Sequence, residues 1–310
     1  MLTLNILRNL LCLTLLSIVI FSCNNENATE ASGRPSFAKI IGTRFIEVRR
    51  QFDDGYSFNS YGFQQEPEWI LEFLSEDSVK IYSPFEKKFL HYPVFFDHDS
   101  IFNIAREWVR LKHVSKDSLV FQLLQVEQKV VKKDRSNVSM KFYSKEYIEK
   151  KHIDPRELQK PKARDTAYVR ALIAKANKFH DSPDSLLAAR KPVALISRTD
   201  AITVKQSHAV ADMMDPSRAE EYLNPEYFIV INGAYKDFTH NFTVVVDEKG
   251  KMHLGRFVVD DEFRESRTRV LKGIIDVYLQ KYLTIIPGKT LGIPHASEIM
   301  IYLKGKKQPI

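Results

Sequence analysis

The sequence predicts an α+β protein in which an N-terminal antiparallel β barrel or sandwich precedes a small α+β domain. Two patterns lead to this prediction. Between residues 37 and 150, apolar and polar residues alternate with a period of two between short polar breaks, as in antiparallel strands that bury one face. Between residues 263 and 283, apolar residues recur at the spacing of one helix face, and strand-like segments lie on both sides.

In the N-terminal part, strands are predicted over 68–74, 78–82, 108–114, 118–131 and 138–143. Polar pairs such as Glu76-Asp77 and Lys116-Asp117 separate them and are typical of turns. The aromatic-rich segment 52–63 has two interpretations. It either lines a ligand groove or packs against the core, and packing is favoured because aromatic side chains dominate cores.

Residues 151–226 are predicted to form a helical connector between the two domains. The charged stretch 150–164, which contains two prolines, is predicted to be the domain boundary. Asp165 or Thr166 can cap a helix that ends near His180. A strand is predicted over 193–196. A second, short helix is predicted to start at 215–220, where a proline and a Ser-x-x-Glu capping box occur, and to end near residue 223.

In the C-terminal part, residues 227–310, strands are predicted over 227–232, 241–246 and 252–259, with a hairpin turn at 247–250. The helix over 263–283 follows, and a last strand covers 297–304. The order is therefore strand, hairpin, helix, strand.

The N-terminus has a short apolar run over 10–21 that ends in Ser22-Cys23. It resembles the lipobox of bacterial lipoproteins, in which signal peptidase cuts before an acylated cysteine. The resemblance implies a signal peptide over 1–22, lipidation of Cys23, a tether over 23–36 and a lipid-anchored position at the outer membrane. The alternatives are plain secretion and a membrane-spanning helix, and the run is shorter than the ~20 residues that spanning requires.

Composition narrows the chemistry of the mature chain. The two cysteines are Cys12 and Cys23, so removal of the signal peptide and lipidation leave no thiol for a disulfide, a nucleophile or a metal site. Residues 151–310 carry 26 Lys and Arg against 20 Asp and Glu, which favours an acidic partner or anionic lipid. Nucleic acid is not predicted as a partner, because no basic run is interleaved with aromatic residues.

No catalytic, cofactor-binding or metal-binding residues are predicted. The sequence has no nucleophile elbow, phosphate-binding loop, dinucleotide fingerprint or His-Glu-x-x-His helix. Residues 98–100 carry the three residue types of a catalytic triad, but adjacent strand residues face opposite sides. Residues 97–99 are interpreted as a polar turn, and the acidic cluster 260–262 as negative charge that favours a helix N-terminus.

One tripeptide recurs: Asp, then Ser or Thr, then a small or aliphatic residue. It is similar to the O-glycosylation sequon that some Gram-negative bacteria use on exported proteins. The alternative is local, because Asp-Ser also ends turns and starts strands or helices. The candidate acceptors are Ser78, Ser100, Ser118, Thr166 and Ser185.

Residues 241–304 resemble the C-terminal domain of TonB-type energy-transducing proteins. The resemblance rests on the strand 242–246, the turn 247–251, Pro287-Gly288 after the long helix, and 292–294 ahead of the last strand. Residues 260–262 stand where the family has Ser-Ser-Gly, and the inner-membrane helix and proline-rich segment of the family are missing. The resemblance therefore implies the family's fold and its peptide recruitment, without energy transduction.

The function expected from the sequence is a non-enzymatic binding or assembly lipoprotein of the bacterial cell envelope. The alternative is a periplasmic or surface hydrolase or carbohydrate-active enzyme whose site converges from distant residues. As in TonB-type domains, an envelope protein or peptide would add as a strand to the last strand, whose residues are Ile299, Met300, Ile301, Tyr302 and Leu303. In the competing arrangement, the strand over 227–232 covers that edge.

Overall fold

The computed structural model describes residues 33–207 and 219–307. The predicted signal peptide, Cys23 and most of the tether lie outside the described residues, as does the predicted helix start at 215–218. The fold is α+β, as predicted.

The N-terminal part is a closed barrel of eight strands, and every neighbouring pair is antiparallel. Its strands are β1 Arg44–Phe52, β2 Ile70–Ser75, β3 Ser78–Ser83, β4 Lys88–Phe96, β5 Ile101–Ile104, β6 Glu107–Val114, β7 Ser118–Leu124 and β10 Val138–Ser144. The strands β8 Val126–Glu127 and β9 Val130–Val131 form a separate small hairpin. Strands β1 to β7 follow one another around the barrel, and β10 closes it between β7 and β1. Of the two predicted forms, the structure has the barrel.

Aromatic side chains fill the barrel, as expected when eight strands leave an interior just wide enough for side chains. The 3-10 helix Ala38–Ile40 precedes β1, and Phe37 before it stacks on Phe73 at a ring-centroid distance of 4.1 Å. The backbone N–H of Phe37 donates to Glu76 in the β2–β3 turn (2.9 Å), which holds this segment across one barrel end. Fully buried phenylalanines in this core are Phe37, Phe45, Phe73, Phe102, Phe121 and Phe142.

The predicted strand over 118–131 is too long. Strand β7 ends at Leu124, and β8 pairs with β9 as a separate hairpin. The two residues between β8 and β9, Gln128 and Lys129, have φ values of 51° and 65°. Positive φ at both central positions is the conformation of a tight hairpin turn, so the chain reverses here.

Three helices lead out of the barrel: α1 Lys145–Lys150, α2 Pro155–Gln159 and α3 Ala163–Lys178. The helix predicted with Asp165 or Thr166 as its cap therefore begins about one turn earlier, with Lys162 as its cap, and it ends at Lys178, about half a turn before His180. Asp165 is its third residue, and its Oδ2 accepts the backbone N–H of Lys162 at 2.8 Å. The carboxylate thus still serves the helix N-terminus, from inside the first turn.

A buried ion pair joins α3 to the barrel. Asp165 is fully buried, and its Oδ2 accepts Nη2 of Arg49 on β1 at 2.7 Å. Its Oδ1 accepts the backbone N–H of Ser57 at 2.7 Å. Burial by itself would raise the pKa of Asp165, but the hydrogen bonds from Ser57, Arg49 and Lys162 outweigh burial and lower the pKa. The carboxylate therefore stays ionised and holds three segments together.

The aromatic segment 52–63 packs against α3, in agreement with the favoured interpretation. Tyr56 stacks on Tyr168 at 4.5 Å, and Phe58 is 1% exposed within a cluster that includes α3. Gly62 has a φ of 93°, and a Cβ there would lie 2.6 Å from the carbonyl oxygen of Ala188. This close approach lets the segment lie flat against residues 186–189.

The C-terminal part contains a five-stranded sheet. Its strands are β12 Ile202–Gln206, β13 Glu226–Ala234, β14 Phe238–Val246, β15 Met252–Leu254 and β19 Ser297–Lys307, and the remaining short strands are β11 Ala194–Ser197, β16 Leu283–Ile286, β17 Lys289–Thr290 and β18 Ile293–Pro294. The sheet order is β12-β13-β19-β14-β15. The β13–β19 pair is parallel and the other pairs are antiparallel. The sheet thus includes β12, which lies in the segment predicted as a helical connector.

The helix predicted over 263–283 is confirmed. It comprises α5 Arg264–Ile274, one π-helical stretch Ile275–Leu279 and α6 Gln280–Tyr282. A separate short helix, α4 Glu220–Leu223, precedes β13. We number the helices α1 to α6 in chain order. Leu271, Ile275 and Leu279 pack against one face of the sheet. Within the described ranges, no helix combines the length and the apolar character needed to cross a membrane.

The last strand does not lie at an edge, which corrects the prediction for Ile299, Met300, Ile301, Tyr302 and Leu303. Strand β19 is hydrogen-bonded to β13 on one side and to β14 on the other. Its backbone groups are therefore used within the sheet, as in the competing arrangement that the sequence left open. The reason is topological. Strand β13 precedes the hairpin in the chain, and by pairing in parallel with β19 it covers the edge that a hairpin-helix-strand unit would leave free.

Candidate functional site

The predicted modification sites fall into two groups. Ser78, Ser100 and Ser118 follow the β2–β3, β4–β5 and β6–β7 turns, so they share one end of the barrel. Ser185 ends a 3-10 helix after α3. The aspartates before these four serines are exposed, whereas Asp165 before Thr166 is buried in its ion pair. O-glycosylation remains a prediction, and Thr166 is the acceptor with the least accessible flanking residue.

The polar motifs noted in the sequence lie on exposed turns. His98 Nδ1 is 2.5 Å from Asp97 Oδ2, and Nε2 is 3.9 Å from Asp99 Oδ2. In the acidic cluster 260–262, Asp261 starts a 3-10 helix and pairs with Arg264 at 3.1 Å. These contacts are those of local turn and helix-end chemistry, as interpreted from the sequence.

The most distinctive surface is the side of the five-stranded sheet that faces away from α5. Alternation puts every second residue of each strand there. Helix α3 packs near Val245 and covers one part of this side. The remaining residues form cross-strand rows, which we call the open face: Lys205, Phe228, Tyr302 and Asn241; then Thr203, Val230, Lys304 and Thr239; then Asn232 and Lys306.

An aromatic pair stands at the centre of the open face. Phe228 is 44% exposed, and its ring stacks on that of Tyr302 at 4.9 Å with an interplanar angle of 13°. The Tyr302 hydroxyl donates to Glu226 Oε1 at 3.1 Å, and this hydrogen bond raises the pKa of Tyr302. The two rings therefore form a fixed apolar platform on a solvent-facing sheet.

The charge around this platform is positive. Lys205, Lys304 and Lys306 are exposed, and none of the ion pairs formed within residues 33–207 and 219–307 involves them. The carboxylates on the same side are engaged. Glu226 accepts from Tyr302, and Glu298 is paired with Arg256 and accepts from Thr243. The free charges of the open face are thus ammonium groups.

A cavity of about 550 Å³ lies where β14 begins and β19 ends, beside the lysines of the open face. Glycine at position 305 lets the Phe238 ring pack closely over β19, because a Cβ there would lie 2.3 Å from that ring. The lining is basic and polar, so it extends the positive surface beyond the sheet. Its residues are Asp237, Phe238, Thr239, Lys304, Gly305, Lys306 and Lys307.

Sequence reasoning placed Tyr302 in the predicted docking strand but missed Phe228. Phe228 and Tyr302 are 74 positions apart in the sequence, and only the parallel β13–β19 register brings their rings together. A signal was present, since Tyr227-Phe228 puts aromatic residues on both faces of one strand.

Comparison of this chain with protein families and with curated proteins finds no match.

Proposed function

We propose that this chain is a lipid-anchored, non-enzymatic binding module of the bacterial cell envelope, and that its C-terminal sheet docks an acidic, extended segment of an envelope protein. The observation that carries the proposal is the exposed Phe228–Tyr302 pair among unpaired lysines. Aromatic residues are enriched at protein interfaces, and complementary charge speeds encounter and selects the partner.

Strand β12 is the place where an added strand would pair. It is an edge strand of the sheet and borders the open face at Lys205. Ser207 N–H donates to Glu226 and Asn232 N–H donates to Ala201. Backbone groups in antiparallel pairs alternate in direction, so the N–H of Gln206 points outward. An extended peptide can therefore continue the sheet at β12.

The side chains of such a peptide alternate between the two faces of the sheet. Those on one side would stand next to Lys205, at the outer end of the row that runs on through Phe228 and Tyr302. Acidic residues suit the lysines, and an apolar residue suits the aromatic pair. Backbone pairing supplies affinity, and these side chains supply the preference for acidic segments.

We further propose that the hairpin β14–β15, helix α5 and strand β19 form a unit of TonB C-terminal type. The order hairpin, long helix, strand supports this proposal. In this chain β13 and β12 extend the unit at the position where the predicted docking edge stood. Peptide recruitment would consequently move from the last strand to β12.

The anchor is tested by Cys23→Ala. We expect the variant to be released in soluble, folded form, because its lipid attachment is lost while both cores stay intact. Two or three acyl chains hold a protein firmly at ~0.8 kcal/mol per buried methylene, whereas no chain leaves only weak surface contacts. The measurement is membrane fractionation with a salt wash. Cys12→Ala, which leaves Ser22-Cys23 unchanged, should remain in the membrane fraction; retention of Cys23→Ala there would contradict the anchor.

The docking surface is tested by the double charge reversal Lys205→Glu/Lys304→Glu. The probe is a short synthetic peptide that alternates glutamate and valine, titrated calorimetrically into the full chain in detergent. We expect the affinity to fall by about tenfold or more, since two attractions become repulsions. Wild-type affinity should also weaken with added salt, which screens exposed charges.

The matched control is Lys251→Glu/Lys272→Glu, which changes net charge equally at exposed positions outside the open face. It should retain wild-type affinity. Equal loss in both double variants would show that only net charge matters. Equal binding of the glutamine version of the peptide would show that acidity does not matter. Either result argues against the open face as the docking site.

A further inference from the structure

Residues from the end of α3 and from β15 converge on a second site, outside the open face. His180 and Asp181 follow α3, and His253 lies in the middle of β15. One ligand atom from each of these residues lies within 4.8 Å of the other two, and within residues 33–207 and 219–307 this is the group of three that fits a metal ion. The sequence alone does not reveal this group, because the end of α3 and β15 are distant along the chain and come close only in the fold.

The geometry of the group suits a small ion. The imidazole centroids of His180 and His253 are 4.7 Å apart with planes at 48°, and His180 Nε2 is 3.5 Å from Asp181 Oδ1. Metal–nitrogen and metal–oxygen bonds of about 2.0–2.2 Å in a tetrahedron place ligand atoms roughly 3.3–3.6 Å apart. The Asp181 side chain is 88% exposed and can rotate to complete the site, while the two histidines are about a quarter exposed.

A fourth residue orients His253. Asp247 Oδ2 lies 3.2 Å from His253 Nε2, while its Oδ1 accepts the backbone N–H groups of Lys249 and Lys251 at 2.9 Å each. A carboxylate that accepts one ring N–H fixes the imidazole tautomer and leaves the other ring nitrogen for a metal. The turn after β14 therefore holds an outer-sphere carboxylate in place before any ion binds.

We propose that His180, Asp181 and His253 bind a transition-metal ion, with Zn²⁺ as the best-suited species, and that Asp247 orients His253. Two imidazoles and one carboxylate favour Zn²⁺ over Ca²⁺ or Mg²⁺, which prefer oxygen ligands. Three protein ligands leave a coordination position for water or for a side chain. The ion ties the end of α3 to β15 and stabilises their contact. This inference is independent of the proposed docking function.

The test is calorimetric titration of Zn²⁺ into the metal-stripped full chain in detergent, with thermal unfolding as a second readout. We expect one saturable site, a higher unfolding temperature with Zn²⁺ than with chelator, and no comparable effect of Mg²⁺. His180→Gln and His253→Gln should each abolish the site. Asp247→Asn should keep the stoichiometry and weaken binding about 10–100-fold.

His91→Gln, an exposed histidine on the barrel, is the control and should bind as the wild type does. Unfolding of each variant in chelator checks that it is folded, so loss of binding in a folded variant supports the site. Wild-type-like Zn²⁺ binding by the folded double variant His180→Gln/His253→Gln would overturn the proposal. Equal weakening by His91→Gln would also overturn it.

Discussion

Met300→Pro should unfold the C-terminal sheet. Met300 lies in β19 between β13 and β14, and its backbone N–H donates to the carbonyl oxygen of Pro225 at 2.9 Å. Proline removes this donor and leaves the buried acceptor unsatisfied, at a cost of about 1–3 kcal/mol, and its ring adds steric conflict within a central strand. The loss is a large part of the ~5–15 kcal/mol that stabilises a domain.

Hydrogen exchange of peptides from 226–246 and 297–307 measures this directly, and protection there should collapse. Met300→Val keeps the N–H and should retain protection. Gln206→Pro removes an outward N–H on the edge strand β12, so it should leave the sheet folded. A folded Met300→Pro protein with native protection in β19 would contradict the central position of this strand.

Asp165→Asn should lower the free energy of unfolding by about 3–5 kcal/mol, because it leaves the buried guanidinium of Arg49 without its counter-charge. Arg49 is 7% exposed and Asp165 is fully buried. The same carboxylate serves the N–H groups of Ser57 and Lys162, so the loss extends to the α3 N-terminus. Urea unfolding followed by circular dichroism measures the change.

The pH dependence has a defined sign. The pKa of Asp165 is lower in the folded chain than the usual 3.8, so its stabilisation is fully present above that usual value and is lost as pH falls through the folded pKa. The stability gap between wild type and Asp165→Asn should therefore narrow below pH 3.8. Asp184→Asn, at an exposed aspartate of the same tripeptide pattern, should change stability little. A gap that is small at neutral pH would contradict the ion-pair account.

Part of the barrel was predictable, because the hairpins β2–β3 and β6–β7 are signalled locally, whereas β4 and β5 were not singled out. Strands expected over 78–82, 108–114 and 138–143 occur as Ser78–Ser83, Glu107–Val114 and Val138–Ser144. Each alternates apolar and polar residues, which fixes the buried face without knowledge of distant segments. Strand β1 was not singled out, because Glu47, Arg49 and Arg50 interrupt its apolar pattern. Arg49 is buried through an ion pair with Asp165, a partner that only the fold supplies, and Glu47 pairs with Arg50 within the same strand.

The C-terminal topology was less predictable. The helix over 263–283 has a strong periodic pattern and was found, but the position of β19 depends on its parallel pairing with β13. Parallel partners are joined by long connections, so the local sequence around 299–303 contains no sign of the second neighbour. The open face was missed for the same reason. The His180–His253 convergence was missed because α3 and β15 lie far apart along the chain and meet only in the fold.

The enzyme alternative would be favoured by a concave pocket that holds two carboxylates or three His, Asp or Glu ligands. The chain does bring His180, Asp181 and His253 together, but the cavity where β14 begins and β19 ends is lined by none of them. The three ligand residues and this cavity are therefore separate features.

Photo-crosslinking from the open face in native membranes tests the docking proposal most directly. A photoreactive phenylalanine at position 228 should join one envelope protein through an acidic, extended stretch, and the adduct should disappear when Lys205→Glu/Lys304→Glu is added. The same group at Phe95, which is 60% exposed on the barrel, should not give that adduct. An adduct from position 228 that maps to a neutral segment, or that persists after charge reversal, would contradict the account.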